Sequence, residues 1–212
     1  MRIDVTVSPA QASEALHWLT TKAGAAIKRR GEYLAKRLGQ NRYLDGFFDK
    51  RFGTEMTIYE ALKRHSLTRR YVYDGRTLVP FGVVSTLRLV YENLNEPAQK
   101  RLMGRFIGAL HDDVGLIPLV FELNTIVHLC SRGFDVDCVD LCESETKRYD
   151  FLARKGNLEV EIECKTISAD AGHRIRVQDF LSLAGRLRPL HDEFRGRQQI
   201  NLVSIQVPER LG

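Results

Sequence analysis

The sequence predicts an α/β fold in its second half, preceded by a mainly helical, basic region. Three observations carry this. Residues 9–111 read as a succession of helices. From residue 117 onward the pattern is helix, three strands, helix and strand. The charge balance also changes between the two parts. Residues 1–116 hold 19 Lys+Arg against 12 Asp+Glu, and residues 117–212 hold 13 against 15. The segment Asp112-Asp113-Val114-Gly115 is therefore the expected boundary, dividing the chain into regions 1–112 and 113–212.

Residues 9–38 predict a first helix, with Ser8-Pro9 as N-cap and first-turn pair and Gly39 as a stop. It carries Lys22, Lys28, Arg29, Arg30, Lys36 and Arg37, with Trp18 expected in the core. Short helices follow at 57–65 and 86–94, and Pro97 opens another that runs to His111. Residues 117–131, IPLVFELNTIVHLCS, predict a helix ended by Gly133. FDVDCVDL at 134–141 alternates apolar and polar residues as a half-buried strand does. Strands are expected at 149–155 and 158–166, a helix at 176–190, and a final strand at 200–207, INLVSIQV.

Composition narrows the classes. At 43% hydrophobic and 28% charged residues, the chain has the balance of a water-soluble globular protein. No apolar run approaches the roughly 20 residues that span a bilayer, and the first residues lack a signal-peptide pattern. A cytoplasmic protein without membrane attachment is the expectation. The final strand lies close to residue 212, which leaves open that the chain belongs to a longer protein. Cys130, Cys138, Cys142 and Cys164 form no CxxC pair and match no common zinc spacing, so free thiols are expected. The basic surplus of the first region is compatible with nucleic-acid contact and equally with a solvated face.

The most informative stretch is YDFLARKGNLEVEIECKT, residues 149–166. Gly-Asn between two strand patterns predicts a two-residue hairpin with Gly156 and Asn157 at its tip. Lys155 then faces Leu158, Arg154 faces Glu159, Leu152 faces Glu161 and Asp150 faces Glu163. Phe151 with Ile162 and Ala153 with Val160 fall on the other, core-facing side. Two carboxylates placed side by side repel, and a divalent cation relieves that repulsion. Lys165 shares the face of Glu163, because strand side chains repeat every two residues. The plain alternative is an amphipathic strand whose Glu159, Glu161, Glu163 and Lys165 face solvent.

Asp150, followed thirteen residues later by Glu163-Cys164-Lys165, resembles the PD-(D/E)XK nuclease superfamily, typified by restriction endonucleases. The resemblance covers about residues 117–207 and implies that family's restriction-endonuclease-like core, α-β-β-β-α-β, a mixed sheet flanked by helices. It further implies that Asp150, Glu163 and the Cys164 carbonyl hold a metal, and that Lys165 is the catalytic lysine. Glu122 occupies the position where many members carry an acid on the first core helix. Tyr149 stands where a proline is common, a position that varies. The implied activity is Mg²⁺-dependent hydrolysis of phosphodiester bonds, with Mn²⁺ as a substitute and DNA ahead of RNA as substrate.

Around this core, His173, Arg174, Arg176 and Gln178 are candidate substrate-binding residues, with an exposed charged loop as the equal alternative. Glu122 sits on an apolar helix stripe and needs a partner, whether a metal, a salt bridge or water. The metal count and a homodimeric state stay open. Two rivals stand beside the nuclease: an inert nuclease-like fold that binds nucleic acid without turnover, and an interaction protein whose helical first half docks a protein partner.

Overall fold

The computed structural model describes residues 8–40, 45–68, 78–142 and 149–166, with residues 182–183, 185–189 and 193 beyond them. Among the described residues the fold is α/β, mostly helical, with a small three-stranded antiparallel sheet. Helix α1 (Pro9–Gln40) is about 48 Å long at 1.5 Å per residue. Its start is a reciprocal cap. The Gln11 N–H donates to Ser8 Oγ at 3.3 Å, and the Ser8 N–H donates to Gln11 Oε1 at 2.8 Å. Ala12, Ala15, Leu16, Leu19, Ala23, Ala26 and Ile27 form its buried stripe. Trp18 lies partly buried at the edge of that core, its ring edge-on to Tyr91 at 5.2 Å.

Helix α2 (Asp45–Thr68) is much longer than the 57–65 segment predicted. The helix packs against α1, and tertiary burial of Phe52 and Ile58 overrides its weak periodicity. Helix α3 (Leu78–Glu92) likewise begins before the predicted residue 86. Helix α4 (Glu96–His111) starts where Pro97 predicts, with Asn95 Oδ1 accepting the Ala98 N–H at 3.0 Å.

Helix α5 (Ile117–Ser131) and strand β1 (Asp135–Cys138) follow. The predicted strand 134–141 is cut short, because Val139–Cys142 turn into a single helical turn, α6. Two arginines of α4 account for the departure. Arg101 donates to the Leu141 carbonyl at 2.6 Å, giving that backbone group a partner outside a β ladder, and Arg105 holds the Asp140 side chain through Oδ2 at 2.5 Å. Strands β2 (Phe151–Lys155) and β3 (Leu158–Ile162) form the predicted hairpin in the predicted register, from Lys155 opposite Leu158 to Phe151 opposite Ile162. Gly156 supplies the positive φ, 58°, that the tight turn needs. β2 lies between β1 and β3. Helical residues at 182–183 and 185–189 fall within the predicted 176–190 helix, and the 200–207 strand lies outside the described residues.

The core is continuous across the segment 112–115. One buried cluster joins Leu16, Val84 and Phe106 from the first four helices to Leu123, Val136 and Ala153 beyond it. The segment itself is gripped from the first region. Arg30 Nη2 donates to the Asp112 carbonyl at 2.9 Å, and Glu55 Oε1 accepts the Leu116 N–H at 2.9 Å. The two side chains are buried and 3.9 Å apart, a geometry that offsets part of the cost of burying each charge. The helical region therefore packs against α5 and α6. Among the described residues no helix is long and apolar enough to cross a membrane.

Candidate functional site

Asp150 lies just before β2, where the sheet ladder ends. Its backbone is fixed on both sides: its N–H donates to Ile162 O at 2.9 Å, and its carbonyl accepts the Val139 N–H at 2.9 Å. The predicted pairing of Asp150 with Glu163 is not a rung of the ladder, which stops at Phe151 and Ile162. The half-buried carboxylate turns toward the neighbouring segment instead. Asp150 Oδ2 accepts the backbone N–H of Cys164 at 2.5 Å, midway between Glu163 and Lys165. A carboxylate held by a main-chain donor is oriented as well as charged.

Glu163 and Lys165 share one face of the extended segment after β3, as the two-residue period requires. Lys165 Nζ lies 3.2 Å from Glu163 Oε1. Both are exposed, the lysine at 77%, so its amine is open to a polyanion arriving from solvent. Cys164 points the other way, with Sγ donating to Thr125 Oγ1 on α5 at 3.7 Å. That contact seats the Glu-x-Lys segment on the helix that carries Glu122.

Glu122 is mostly buried and its partner is an arginine. Arg105 Nη2 donates to both carboxylate oxygens, at 2.6 and 2.7 Å, while Nη1 reaches Asp140. Burial pushes the Glu122 carboxyl above the ordinary range. Arg105 opposes this, and the negative charges of Asp150 and Asp140 add to it. Asp140 is raised in the same way, first by burial, with Arg105 opposing and Asp150 adding. The Cys164 thiol is also pushed up, by burial first, with the hydrogen bond to Thr125 opposing and Asp150, Glu122 and Asp140 contributing. Asp150, Glu122, Asp140 and Cys164 thus share one electrostatic neighbourhood.

Arg105 and Asp140 were not among the residues singled out from sequence. Arg105 stands on α4, 17 residues from Glu122 and 35 from Asp140, so no local pattern connects them. The available signals were the acid on an apolar stripe and the basic surplus of the first region beside the acidic surplus of the second. Part of that asymmetry is spent internally, arginine of one region on carboxylate of the other. His173, Arg174, Arg176 and Gln178 lie outside the described residues. None of the four cysteines is in a disulfide, and burial pushes the Cys138 thiol up to about 12.

The donor set suits a hard cation in part. Among the described residues Asp150 Oδ1 has no hydrogen-bond donor, and the exposed Glu163 carboxylate meets only the Lys165 amine. These are oxygen ligands of the kind Mg²⁺ and Mn²⁺ take. Glu122 fits less well, since Arg105 engages both of its oxygens. Among the described residues no group of three or more His, Cys, Asp and Glu side chains is gathered to hold a metal. No family model, curated protein or solved structure matches this chain.

Proposed function

We propose that the chain is a divalent-metal-dependent nuclease of the PD-(D/E)XK kind, acting on phosphodiester bonds of nucleic acid and on DNA by preference. In this view the helix α5 and the β1–β2–β3 meander belong to a restriction-endonuclease-like core. The observation that carries the proposal is the hydrogen bond from the Cys164 N–H to Asp150, which ties the aspartate to the Glu-x-Lys segment.

Charge supports the same conclusion. Asp150, Glu122 and Asp140 stand against one cation, Arg105, leaving a formal surplus of two negative charges, while the exposed Glu163 pairs with Lys165. A phosphodiester would be repelled from such a site unless a cation intervened. Asp150, through Oδ1, Glu163 and the Cys164 carbonyl would hold that cation. When bound, it supplies Lewis-acid charge and lowers the pKa of a water. The Cys164 N–H keeps the Asp150 carboxylate in one orientation throughout. Lys165 leaves Glu163 to stabilise negative charge developing on the phosphate, the role a positioned amine fills.

A second possibility, an inert scaffold that binds nucleic acid or a protein without turnover, is favoured by the Glu163–Lys165 ion pair and the absence of a three-ligand group among the described residues. Calorimetry with Mg²⁺ and Mn²⁺ separates the two. The nuclease requires a binding signal in the wild type that Glu163→Ala removes, whereas equal signals in both proteins identify the scaffold.

A further inference from the structure

The Arg105 guanidinium lies between two carboxyl groups. It spans Glu122 and Asp140 through its two terminal nitrogens, and both of those acids feel the charge of Asp150. Its fork geometry matches two carboxylates at once, and it cannot give up its proton. Resting on the nuclease proposal above, we infer that Arg105 takes the place of a second metal ion. The site then holds one divalent cation, on Asp150 and Glu163, and Glu122 is the counter-ion of an arginine and not a metal ligand.

The reasoning is one of competition for lone pairs. A cation could claim Glu122 only by displacing two charge-assisted hydrogen bonds of 2.6 and 2.7 Å in a partly desolvated position. Asp140 is tethered to the same guanidinium, so breaking one contact loosens the other. Glu163 gives up only its exposed 3.2 Å contact with Lys165, and the bond from the Cys164 N–H engages only Oδ2 of Asp150. The arginine comes from α4, outside the hairpin and α5, so the helical region contributes a fixed positive charge to the site.

The test is the Mn²⁺ stoichiometry of the full chain, read by electron paramagnetic resonance and by elemental analysis after desalting. One ion per chain is expected in the wild type. Glu122→Gln should keep one ion with affinity within about threefold, whereas loss of a true ligand or its close support costs roughly tenfold or more. Arg105→Met, which bares Glu122 and Asp140, should admit a second ion, and Arg105→Lys, which keeps the charge, should stay at one. If Arg105→Met does not fold, as circular dichroism will report, the Glu122→Gln and Arg105→Lys arms still decide. Two ions in the wild type that fall to one in Glu122→Gln would overturn the inference and leave the nuclease proposal standing. A folded Arg105→Met protein that still takes one ion would overturn it too. No ion in the wild type would remove the nuclease proposal and this inference together.

Discussion

Arg105 donates from a single terminal nitrogen to both oxygens of Glu122, at 2.6 and 2.7 Å, joining the helical first region to the first helix of the second. The pair is asymmetric in exposure, with Glu122 at 13% and Arg105 at 37%. Removing the arginine strands a mostly buried carboxylate, whereas removing the acid leaves a cation that solvent and Asp140 can satisfy. Arg105→Ala is therefore expected to cost about 1–3 kcal/mol, less than a fully buried pair because the arginine is partly solvated. Glu122→Ala should cost less. A double-mutant cycle by urea denaturation checks this, with a coupling energy clearly above zero expected.

The two raised carboxyls give a signed pH dependence. In the folded state Glu122 and Asp140 hold protons to a higher pH than in the unfolded chain, whose values lie near the ordinary 4.5 and 3.8. Between the unfolded and the raised folded values the native state binds more protons, so stability falls as pH rises through that window. The loss is complete above the folded values and absent below the unfolded ones. Glu122→Gln removes one of these terms. Its stability relative to wild type should improve as pH climbs from about 4 upward in metal-free buffer, measured by urea unfolding at stepped pH. A difference that is flat with pH would contradict the assignment.

Gly115 is a point where backbone and buried charge meet. Its φ is +70°, and a Cβ built there would stand 2.3 Å from Glu55 Oε1, the oxygen that accepts the Leu116 N–H. Gly115→Ala combines a left-handed backbone cost of about 1–2 kcal/mol with displacement of that carboxylate. A loss of about 2 kcal/mol or more in denaturant unfolding is expected. Wild-type stability in this variant would show that Glu55 does not anchor the turn.

Much of the fold was legible because it is written locally. Gly156-Asn157 defines the hairpin, and the register from Lys155–Leu158 to Phe151–Ile162 follows from that tip alone. The N-terminal ends of α1 and α4 follow from Ser8-Pro9 and Asn95 with Pro97, residues whose side chains or rings act within one turn. Where partners are distant the sequence misleads. The alternation of FDVDCVDL continues to Leu141, yet Arg101 and Arg105 draw Val139–Cys142 out of the strand from some forty residues away. α2 extends well beyond its periodic segment for a similar reason, because α1 covers it. In the candidate site, the shared face of Glu163 and Lys165 was legible through two-residue alternation. Arg105 and Asp140 were not, since only the packing of α4 on α6 brings them together.

The central claim is that Asp150, Glu163 and Lys165 act together on a phosphodiester backbone. Its most direct test incubates purified protein with single- and double-stranded DNA and RNA, with and without Mg²⁺ or Mn²⁺, beside Asp150→Ala, Glu163→Ala and Lys165→Ala. Metal-dependent cleavage by the wild type is expected, abolished in each variant while circular dichroism stays unchanged. Wild-type protein that cuts none of these substrates with either metal, or a Lys165→Ala protein that cuts as fast as wild type, would contradict it.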